Sequence, residues 1–416
     1  MILLTTTGSL GDLHPYLALG TGLQNRGHRA AVGTCEAYRG RVEALGLEFR
    51  PIGPHISPDD PEVIKLVIDP KNGPENIFRK LIMPYVRASY DDTARAVEGA
   101  TLVVGHPLML SVPLLAERKK IPWASIVLAP ISFFSAYDPI EIPGHPIASA
   151  MTRGPQWLRT LVRSMGRAQT RSWVRPFLEF RRELGVANDA HPLFEGQHSP
   201  HLALALYTEM LADPKPDWPK SAKVTGFCFH DRNESNAGLS PGLTEFLASG
   251  PPPIVFTLGS TAVRNPGTFY EESVAAAKAL GKRAVILGSA PAAPDVWVEP
   301  YAPYSLLFPK CEAVVCSGGI GTVGQALRSG TPFLIVPHGN DQPDNAVRCA
   351  RLGGCRHLSR DGYRRDRAAE ELRALLGDPQ IRTKAKECAR MIGQEDGVAA
   401  ACDALEKLLG SQSSIT

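Results

Sequence analysis

Residues 314–345 read Val-Val-Cys-Ser-Gly-Gly-Ile-Gly-Thr-Val-Gly-Gln-Ala-Leu-Arg-Ser-Gly-Thr-Pro-Phe-Leu-Ile-Val-Pro-His-Gly-Asn-Asp-Gln-Pro-Asp-Asn. An apolar segment runs into a glycine-rich turn, then a helical pattern, a glycine stop and a second apolar segment. This order predicts a strand, a helix and a parallel strand. Glycines at 318, 319 and 321 would bare the N–H groups at the helix start, which attract phosphate. Glycine-rich turns also occur where close packing alone demands them, but three in four residues favour phosphate.

Polar side chains follow the second strand of this unit. Asp341 and Gln342 come directly after it, with Asp344 and Asn345 close behind. Asp341 could simply cap the helix that starts at Gln342, although the density of polar groups favours contacts with ligand hydroxyls. Ligands of open α/β sheets bind at the carboxyl ends of the strands. A diphosphate on one loop and hydroxyl-binding side chains on the next predict a nucleotide-sugar site.

Strands alternate with helices in both halves of the chain, which predicts the α/β class. A polar stretch at 230–241 separates the halves and is interpreted as a linker. We therefore predict two Rossmann-like αβα domains, residues 1–229 and 242–416, facing each other across a cleft, with C-terminal helices packing them together. A short sequence similarity between the halves supports this division. Thr6-Thr7-Gly8-Ser9 ends the first strand of the first half, and Thr257-Leu258-Gly259-Ser260 ends the first strand of the second half.

The first loop, residues 8–15, carries an acidic side chain at the end of the first strand. It lacks the glycine triplet of dinucleotide-binding proteins. Pro15 is predicted to open the following helix, and Asp12 is either the cap of that helix or a catalytic base. Further along, residues 53–75 are rich in Pro, Asp and Gly and are predicted to form a long surface loop. A single amphipathic helix is predicted over 157–184.

Composition excludes several functional classes. The 416 residues carry 45 basic and 42 acidic side chains, so nucleic acid is not an expected partner. Arginine-rich stretches at 152–182 and 360–367 are interpreted as solvated faces. The eight cysteines show no metal-binding spacing, as expected of thiols in the cytoplasm. No signal peptide or membrane span is predicted, and only transient contact with a membrane surface is compatible with this pattern.

These motifs resemble those of the GT-B glycosyltransferases of family 1, the UDP-glycosyltransferase-like enzymes. The segment from Tyr301 to Asn345 is similar to the nucleotide-sugar signature of that family. Gly8-Ser9-x-Gly11-Asp12-x-x-Pro15 resembles the bacterial members that modify sterols, lipids and glycopeptides, and residues 256–261 resemble the rhamnosyltransferase of rhamnolipid synthesis. The likeness covers both halves in the expected order. Residues 53–100 and 129–200, which would select the acceptor, match no recognised motif.

The resemblance implies roles for individual residues. Asp12 matches the general base that deprotonates the acceptor hydroxyl, a position where other members carry histidine. Cys316 stands where the family usually has a histidine that donates to a phosphate, and a thiol is a much weaker donor. The implied donor-binding residues are Ser260, Tyr301, Ala302, Cys316, Gly318, Gly319, Gly321, Thr322, Asp341 and Gln342.

The expected reaction is inverting transfer of a hexose, of the glucose or rhamnose class, from a UDP- or dTDP-sugar to a lipophilic or aromatic small molecule. No cofactor is expected beyond the donor, and no metal, because the sequence holds no Asp-x-Asp triplet. Three alternatives remain open: a sugar-nucleotide epimerase of the same architecture, a non-catalytic nucleotide-sugar-binding protein, which Cys316 suggests, and an NAD(P)-dependent enzyme. An NAD(P)-dependent enzyme is disfavoured by the missing dinucleotide motif.

Overall fold

The computed structural model describes residues 1–54, 56–57, 60–186, 190–231 and 238–413. The chain forms two compact units. Unit 1 comprises residues 1–230 and the C-terminal segment from Asp396, and unit 2 comprises Asp231–Glu395. Of the predicted linker 230–241, residues 232–237 lie outside the described residues.

Unit 1 is built on a seven-stranded, entirely parallel sheet in the order β3-β2-β1-β4-β5-β6-β7. Strand β1 is buried at every residue, as expected of a strand covered on both faces. The strands are β1 (Ile2–Thr5), β2 (Ala30–Thr34), β3 (Glu48–Pro51), β4 (Leu102–Gly105), β5 (Trp123–Val127), β6 (Ala203–Ala205) and β7 (Ala222–Val224).

Nine helices precede the second unit in the described chain. They are α1 (Leu10–Asn25), α2 (Arg39–Glu43), α3 (Pro61–Val67), α4 (Gly73–Asn76), α5 (Val86–Ala96), α6 (Ser111–Lys119), α7 (Pro146–Thr152), α8 (Gln156–Thr170) and α9 (Arg175–Glu183). A π-helical segment, Ile77–Ile82, follows α4.

Unit 2 contains a six-stranded parallel sheet in the order β10-β9-β8-β11-β12-β13. Its strands are β8 (Ile254–Thr257), β9 (Ala284–Leu287), β10 (Val296–Glu299), β11 (Ala313–Cys316), β12 (Phe333–Ile335) and β13 (Cys355–His357). Its helices are α10 (Pro241–Ala248), α11 (Gly259–Ala262), α12 (Phe269–Ala279), α13 (Tyr304–Leu307), α14 (Ile320–Ser329), α15 (Gln342–Arg351), α16 (Arg365–Gly377) and α17 (Pro379–Ile392); α18 (Gly397–Ser413) belongs to unit 1.

Two local predictions in the first half were wrong. Helix α1 begins at Leu10, not at Pro15, because Ser9 and Asp12 form a capping box that starts it earlier and leaves Pro15 inside. The predicted loop 53–75 contains α3 and α4. Asp60 caps α3 through the Glu62 N–H, and Pro61 occupies its first turn, so the polar and proline residues mark a helix start.

The amphipathic stretch 157–184 forms two helices instead of one. Helix α8 ends at Thr170 and α9 begins at Arg175, with Pro176 in its first turn. Proline lacks an N–H and clashes within a helix interior, but it is tolerated in a first turn. The break between α8 and α9 therefore falls at the residues before Pro176.

The C-terminal helix does not belong to the domain in which the sequence analysis placed it, residues 242–416, but to unit 1. Helix α18 packs on α1 in unit 1. The Arg26 guanidinium lies 2.6 Å from a carboxylate oxygen of Asp403 and 2.9 Å from one of Glu406. A Cβ at Gly22 would lie 2.5 Å from Val398. The two helices can pack this closely because Gly22 has no side chain. The sequence contains no local signal for this return of the chain.

Candidate functional site

The end of β1 in unit 1 lies at a topological switch point. β1 lies between β2 and β4 in the sheet. The strand order therefore runs towards β3 on one side of β1 and towards β5 on the other, and the crossover connections change direction here. Ligands of open α/β sheets bind at such points. The loop that carries Asp12 follows β1, and His106 directly follows β4, whose Gly105 is paired with Thr5.

The Asp12 carboxylate is held from two sides. Its Oδ2 accepts hydrogen bonds from the Ser9 N–H at 2.7 Å and from the Ser9 hydroxyl at 2.9 Å. Its Oδ1 lies 3.5 Å from Nε2 of His106, and the Asp12 side chain remains 31% exposed. The predicted capping role is therefore correct for one oxygen, while the other faces an imidazole in a side chain that is partly exposed.

His106 is a site residue that the sequence analysis missed. Its side chain is buried, and its Nδ1 accepts the Leu108 N–H at 3.1 Å. Since Nδ1 is an acceptor, the neutral ring carries its proton on Nε2 and points it at Asp12. The only sequence signal was its position directly after a buried strand.

The environment of Asp12 favours the carboxylate form. Burial raises the pKa of Asp12, but the interaction with His106 and the hydrogen bonds from Ser9 outweigh it, so the pKa lies below its usual range. Asp12 is thus ionised throughout the neutral range. Burial, with a further contribution from the charge of this carboxylate, raises the pKa of Tyr16 well above its usual range, so the Tyr16 phenol stays neutral.

A recess opens beside this pair within unit 1. It includes Thr7 of the Asp12 loop and Leu108, and its enclosed volume is about 20 Å³, little more than one water molecule needs. Other lining side chains are mostly apolar: Ile82, Tyr85, Val86, Met109 and Leu110. The recess is therefore an apolar surface beside the Asp12 loop, and in this structure it is too small to hold a small organic molecule.

In unit 2 the switch point lies between β8 and β11. Thr257 at the end of β8 is paired with Cys316 at the end of β11. The turns that follow these strands are adjacent, since the Ser317 hydroxyl donates to the Leu258 carbonyl at 3.0 Å. Ser260 is exposed in α11, and a Cβ at Gly259 would lie 3.5 Å from the Thr322 hydroxyl. The structure therefore brings Ser260 and Thr322 to the same edge.

The glycine-rich turn leaves the start of α14 open. Gly318 has a φ of +87°, and a Cβ there would lie 2.5 Å from Ile335, so close packing on β12 explains this glycine. Gly319 is the N-cap and makes no side-chain cap. At Gly319 and Gly321 a Cβ would meet no atom of the described residues within 4 Å. Uncapped N–H groups with space in front of them fit an anion.

Asp341 and Gln342 lie beside that turn. The Asn345 amide donates to Asp341 Oδ2 at 2.7 Å and to the Gly318 carbonyl at 3.0 Å, which ties the two loops together. Gln342 Oε1 accepts the His338 N–H at 2.7 Å, so its Nε2 is the end that can donate to a ligand. Asp341 occupies the N-cap position of α15 without forming a side-chain cap.

Two residues of this region do not match the expected contacts. Cys316 is fully buried, and burial raises its pKa to about 12, so it is a neutral interior thiol. Asp344, expected to add to the hydroxyl-binding cluster, is buried in an ion pair with Arg348 at 2.6 Å. These two side chains serve the core.

The aromatic segment before β11 is partly buried. Tyr301 is half-buried and Ala302 is buried, and the ring of Tyr301 lies 6.5 Å from the ring of Tyr304 between centroids. The Tyr304 hydroxyl lies 2.8 Å from the Thr257 hydroxyl at the end of β8. Tyr304, which the sequence analysis did not single out, therefore connects the predicted base-binding segment to the diphosphate turns.

Comparisons with known proteins agree with this geometry. Residues 2–123 match the glycosyltransferase family 28 N-terminal domain, and residues 281–401 match the erythromycin biosynthesis protein CIII-like C-terminal domain. The chain is 33% identical to O-mycaminosyltylonolide 6-deoxyallosyltransferase of Streptomyces fradiae, over 98% of this chain and 97% of that protein. It is 28% identical to sterol 3-beta-glucosyltransferase UGT80A2 of Arabidopsis thaliana, over 99% of this chain and 66% of that protein.

The glycosyltransferase of kitacinnamycin has a similar structure, with a TM-score of 0.71, 21% identity and 98% of each chain covered. The two parallel-sheet α/β units have the fold of a GT-B protein. The chain belongs to the family 1 GT-B glycosyltransferases, which transfer a sugar from a nucleotide sugar to a small-molecule acceptor.

Gly8 provides a direct test of how the Asp12 carboxylate is placed. Its φ is +115°, and a Cβ there would lie 2.5 Å from Asp12 Oδ2. We expect Gly8→Ala to displace the carboxylate and lower kcat/KM roughly 10–100-fold. Gly27→Ala is the matched control, because Gly27 has a φ of +87° and no described atom within 4 Å of a Cβ. Equal loss of activity in both variants would show that backbone strain, not the carboxylate, matters.

Proposed function

We propose that the protein is an inverting, metal-independent glycosyltransferase that moves a hexose from a UDP- or dTDP-sugar to a hydroxyl group of a lipophilic or aromatic small molecule. The observation that carries this proposal is the Asp12 carboxylate at the β1 switch point, which is held by Ser9 and His106 while its side chain stays partly exposed. The names of the two relatives, which refer to 6-deoxyallosyl transfer and to glucosyl transfer to a sterol, support the hexose class and a lipophilic acceptor.

In the proposed reaction Asp12 takes the proton of the acceptor hydroxyl. The acceptor oxygen forms a bond to the anomeric carbon while the bond from that carbon to the diphosphate oxygen breaks. The nucleoside diphosphate leaves with the electron pair, and the configuration at the anomeric carbon inverts. A base of this kind contributes roughly 10²–10⁴-fold.

Fixed dipoles of unit 2 would stabilise the leaving group. The uncapped N–H groups at the start of α14 and the Thr322 hydroxyl are placed to donate to the diphosphate, with Ser260 on the adjacent turn. Such preorganised donors stabilise charge that develops in a transition state. Asp341 and the Gln342 amide would bind hydroxyls of the donor sugar, and Tyr301 with Ala302 the nucleotide base.

The apolar side chains around the recess beside the Asp12 loop support a lipophilic acceptor. They offer Ile82, Val86 and Leu110 to a hydrocarbon surface. An acceptor that lies on them with its hydroxyl at the Thr7 end would reach the loop that holds the base.

The proposal is tested in two steps. Thermal shift with UDP-glucose, dTDP-glucose and dTDP-rhamnose should identify the donor, and mass spectrometry should then find a hexosylated product from sterol, phenolic or macrocyclic acceptors. NMR of the product should show the inverted anomeric configuration. Donor binding without release of nucleoside diphosphate from any acceptor would indicate the non-catalytic alternative. Conversion of the donor sugar without an acceptor would indicate an epimerase.

His106 is expected to act as a positioning residue for the base. Removing it by His106→Ala should raise the pKa of Asp12, because burial then acts on the carboxylate without the opposing imidazole. In the native protein kcat/KM should stay flat down to acidic pH, and in the variant its acidic limb should move upward. His106→Gln, which retains an N–H donor, should restore part of the native profile. A pH profile that does not move in His106→Ala would contradict the role.

A further inference from the structure

One fully buried side chain contacts both loops of the candidate donor site. The Asn345 amide donates to the Gly318 carbonyl in the turn before α14 and to Asp341 Oδ2 at the start of α15. The sequence analysis placed Asn345 among the groups that would contact ligand hydroxyls, but its exposed fraction is 0%. A ligand in the site would therefore meet the two loops that Asn345 holds and not Asn345 itself.

The partners of Asn345 determine which end of its amide faces them. A carbonyl oxygen and a carboxylate oxygen are both acceptors, so only Nδ2, which carries two N–H bonds, can satisfy both. Asn345 Oδ1 is buried and has no hydrogen-bond partner among the described residues. Because an unpaired buried acceptor costs stability, the two bonds that Nδ2 donates are what this side chain contributes. Neither leucine nor aspartate, which are similar in size, could make them.

Asp341 is turned towards Asn345 and away from the helix that it precedes. An aspartate at an N-cap ordinarily accepts N–H groups of the first helical turn. Asp341 occupies this position of α15 with a φ of −73° and a ψ of −13°, and it makes no side-chain cap. Its Oδ2 accepts the Asn345 amide at 2.7 Å instead. Since Asp341 is partly exposed, Asn345 fixes a carboxylate that a ligand can reach.

The same amide fixes the turn before α14. The Gly318 carbonyl accepts its second N–H at 3.0 Å, and the next residue, Gly319, is the uncapped N-cap of α14. A Cβ at Gly318 would lie 3.5 Å from the backbone oxygen of Gln342, so this turn packs closely against the start of α15. Asn345 thus sets the position of the open helix start relative to the Asp341 carboxylate.

We propose that Asn345 is a positioning residue for the nucleotide-sugar donor. It holds the Asp341 carboxylate in place for the sugar and the Gly318 turn in place for the diphosphate. This inference rests on the proposed function, which assigns the sugar hydroxyls to Asp341 and the diphosphate to the start of α14. Groups that are held in place before the ligand arrives do not have to be ordered on binding, which favours affinity.

Isothermal titration of the full chain tests this role. The ligands are UDP-glucose, dTDP-glucose and dTDP-rhamnose, together with free UDP and dTDP. Asn345→Ala should weaken binding of the nucleotide sugar roughly tenfold or more, and binding of the free nucleoside diphosphate by a smaller factor. Asn345→Asp keeps the volume but places a carboxylate against Asp341 and the Gly318 carbonyl, so it should weaken the nucleotide sugar further.

A double-mutant cycle shows whether Asn345 acts through Asp341. Asp341→Ala should weaken binding of the nucleotide sugar but not of the free nucleoside diphosphate. In the Asp341→Ala background, Asn345→Ala should weaken the nucleotide sugar no more than it weakens the free nucleoside diphosphate, because the sugar contact is already lost. A purely structural role of Asn345 would give losses that multiply.

Asn76→Ala is the matched control, because Asn76 is also buried and donates its amide to the Leu66 carbonyl at 3.1 Å in unit 1. Its nucleotide affinity should stay native-like. Thermal unfolding checks each variant, and Asn345→Asp remains informative if the smaller alanine prevents folding. Native-like affinity of the folded Asn345 variants for the nucleotide sugar, or losses that multiply in the cycle, would overturn the role of Asn345 alone. A native protein that binds none of these nucleotides would contradict the proposed function and, with it, this inference.

Discussion

Replacing Asp12 by asparagine should lower kcat/KM by roughly 10²–10⁴-fold while leaving donor affinity nearly unchanged. The asparagine oxygen can still accept the hydrogen bonds that Ser9 donates to Oδ2, so the cap of α1 should persist. What the variant loses is a group that can take a proton at the oxygen facing His106. Titration with the identified donor and steady-state kinetics measure the two effects separately.

Asp12→Asn also distinguishes the base from a structural carboxylate. A stability close to that of the native protein, measured by thermal unfolding, would confirm that the cap remains. Ser9→Ala is a matched control, because it removes one hydrogen bond to Oδ2 but keeps the carboxylate. Full turnover by Asp12→Asn would refute the assignment of the base, whatever the donor proves to be.

Gly319→Asp should weaken binding of the nucleotide sugar roughly 100-fold or more. Gly319 has a φ of −58° and a ψ of 139°, which any residue adopts, and a Cβ there has open space. An aspartate at this N-cap would accept the N–H groups at the start of α14 and would place a negative charge where the diphosphate is expected. Isothermal titration with the donor measures the loss.

The same substitution should stabilise the fold. Aspartate at an N-cap is more stabilising than glycine by roughly a few tenths of a kcal/mol, so the midpoint of thermal unfolding should rise slightly while donor affinity falls. Gly319→Ala adds a side chain without a cap or charge and serves as the control that should bind nearly normally. Retained donor affinity in Gly319→Asp would exclude the α14 start as the diphosphate site.

The strands and the helix start around the site could be predicted from the sequence, because each depends on residues that are close together in the chain. The apolar runs at Ile2–Thr5 and Ala313–Cys316 and the glycines at 318–321 predicted two parallel sheets and an open helix start, all of which the structure contains. The motifs at residues 8–15 and 301–345 identified the family. Buried parallel strands and capping turns have short-range signatures, since each depends on residues within about one helical turn.

The tertiary structure alone decided which of these residues meet. His106 is 94 residues from Asp12 in the chain, and only the pairing of β1 with β4 brings its imidazole to the carboxylate. The structure likewise buries Asp344 in an ion pair with Arg348 and buries Cys316 in the core. The sequence analysis had placed both residues among the ligand contacts. Helix α18 joins unit 1 through contacts with Gly22 and Arg26. Such contacts form between residues distant in sequence, so no local pattern encodes them.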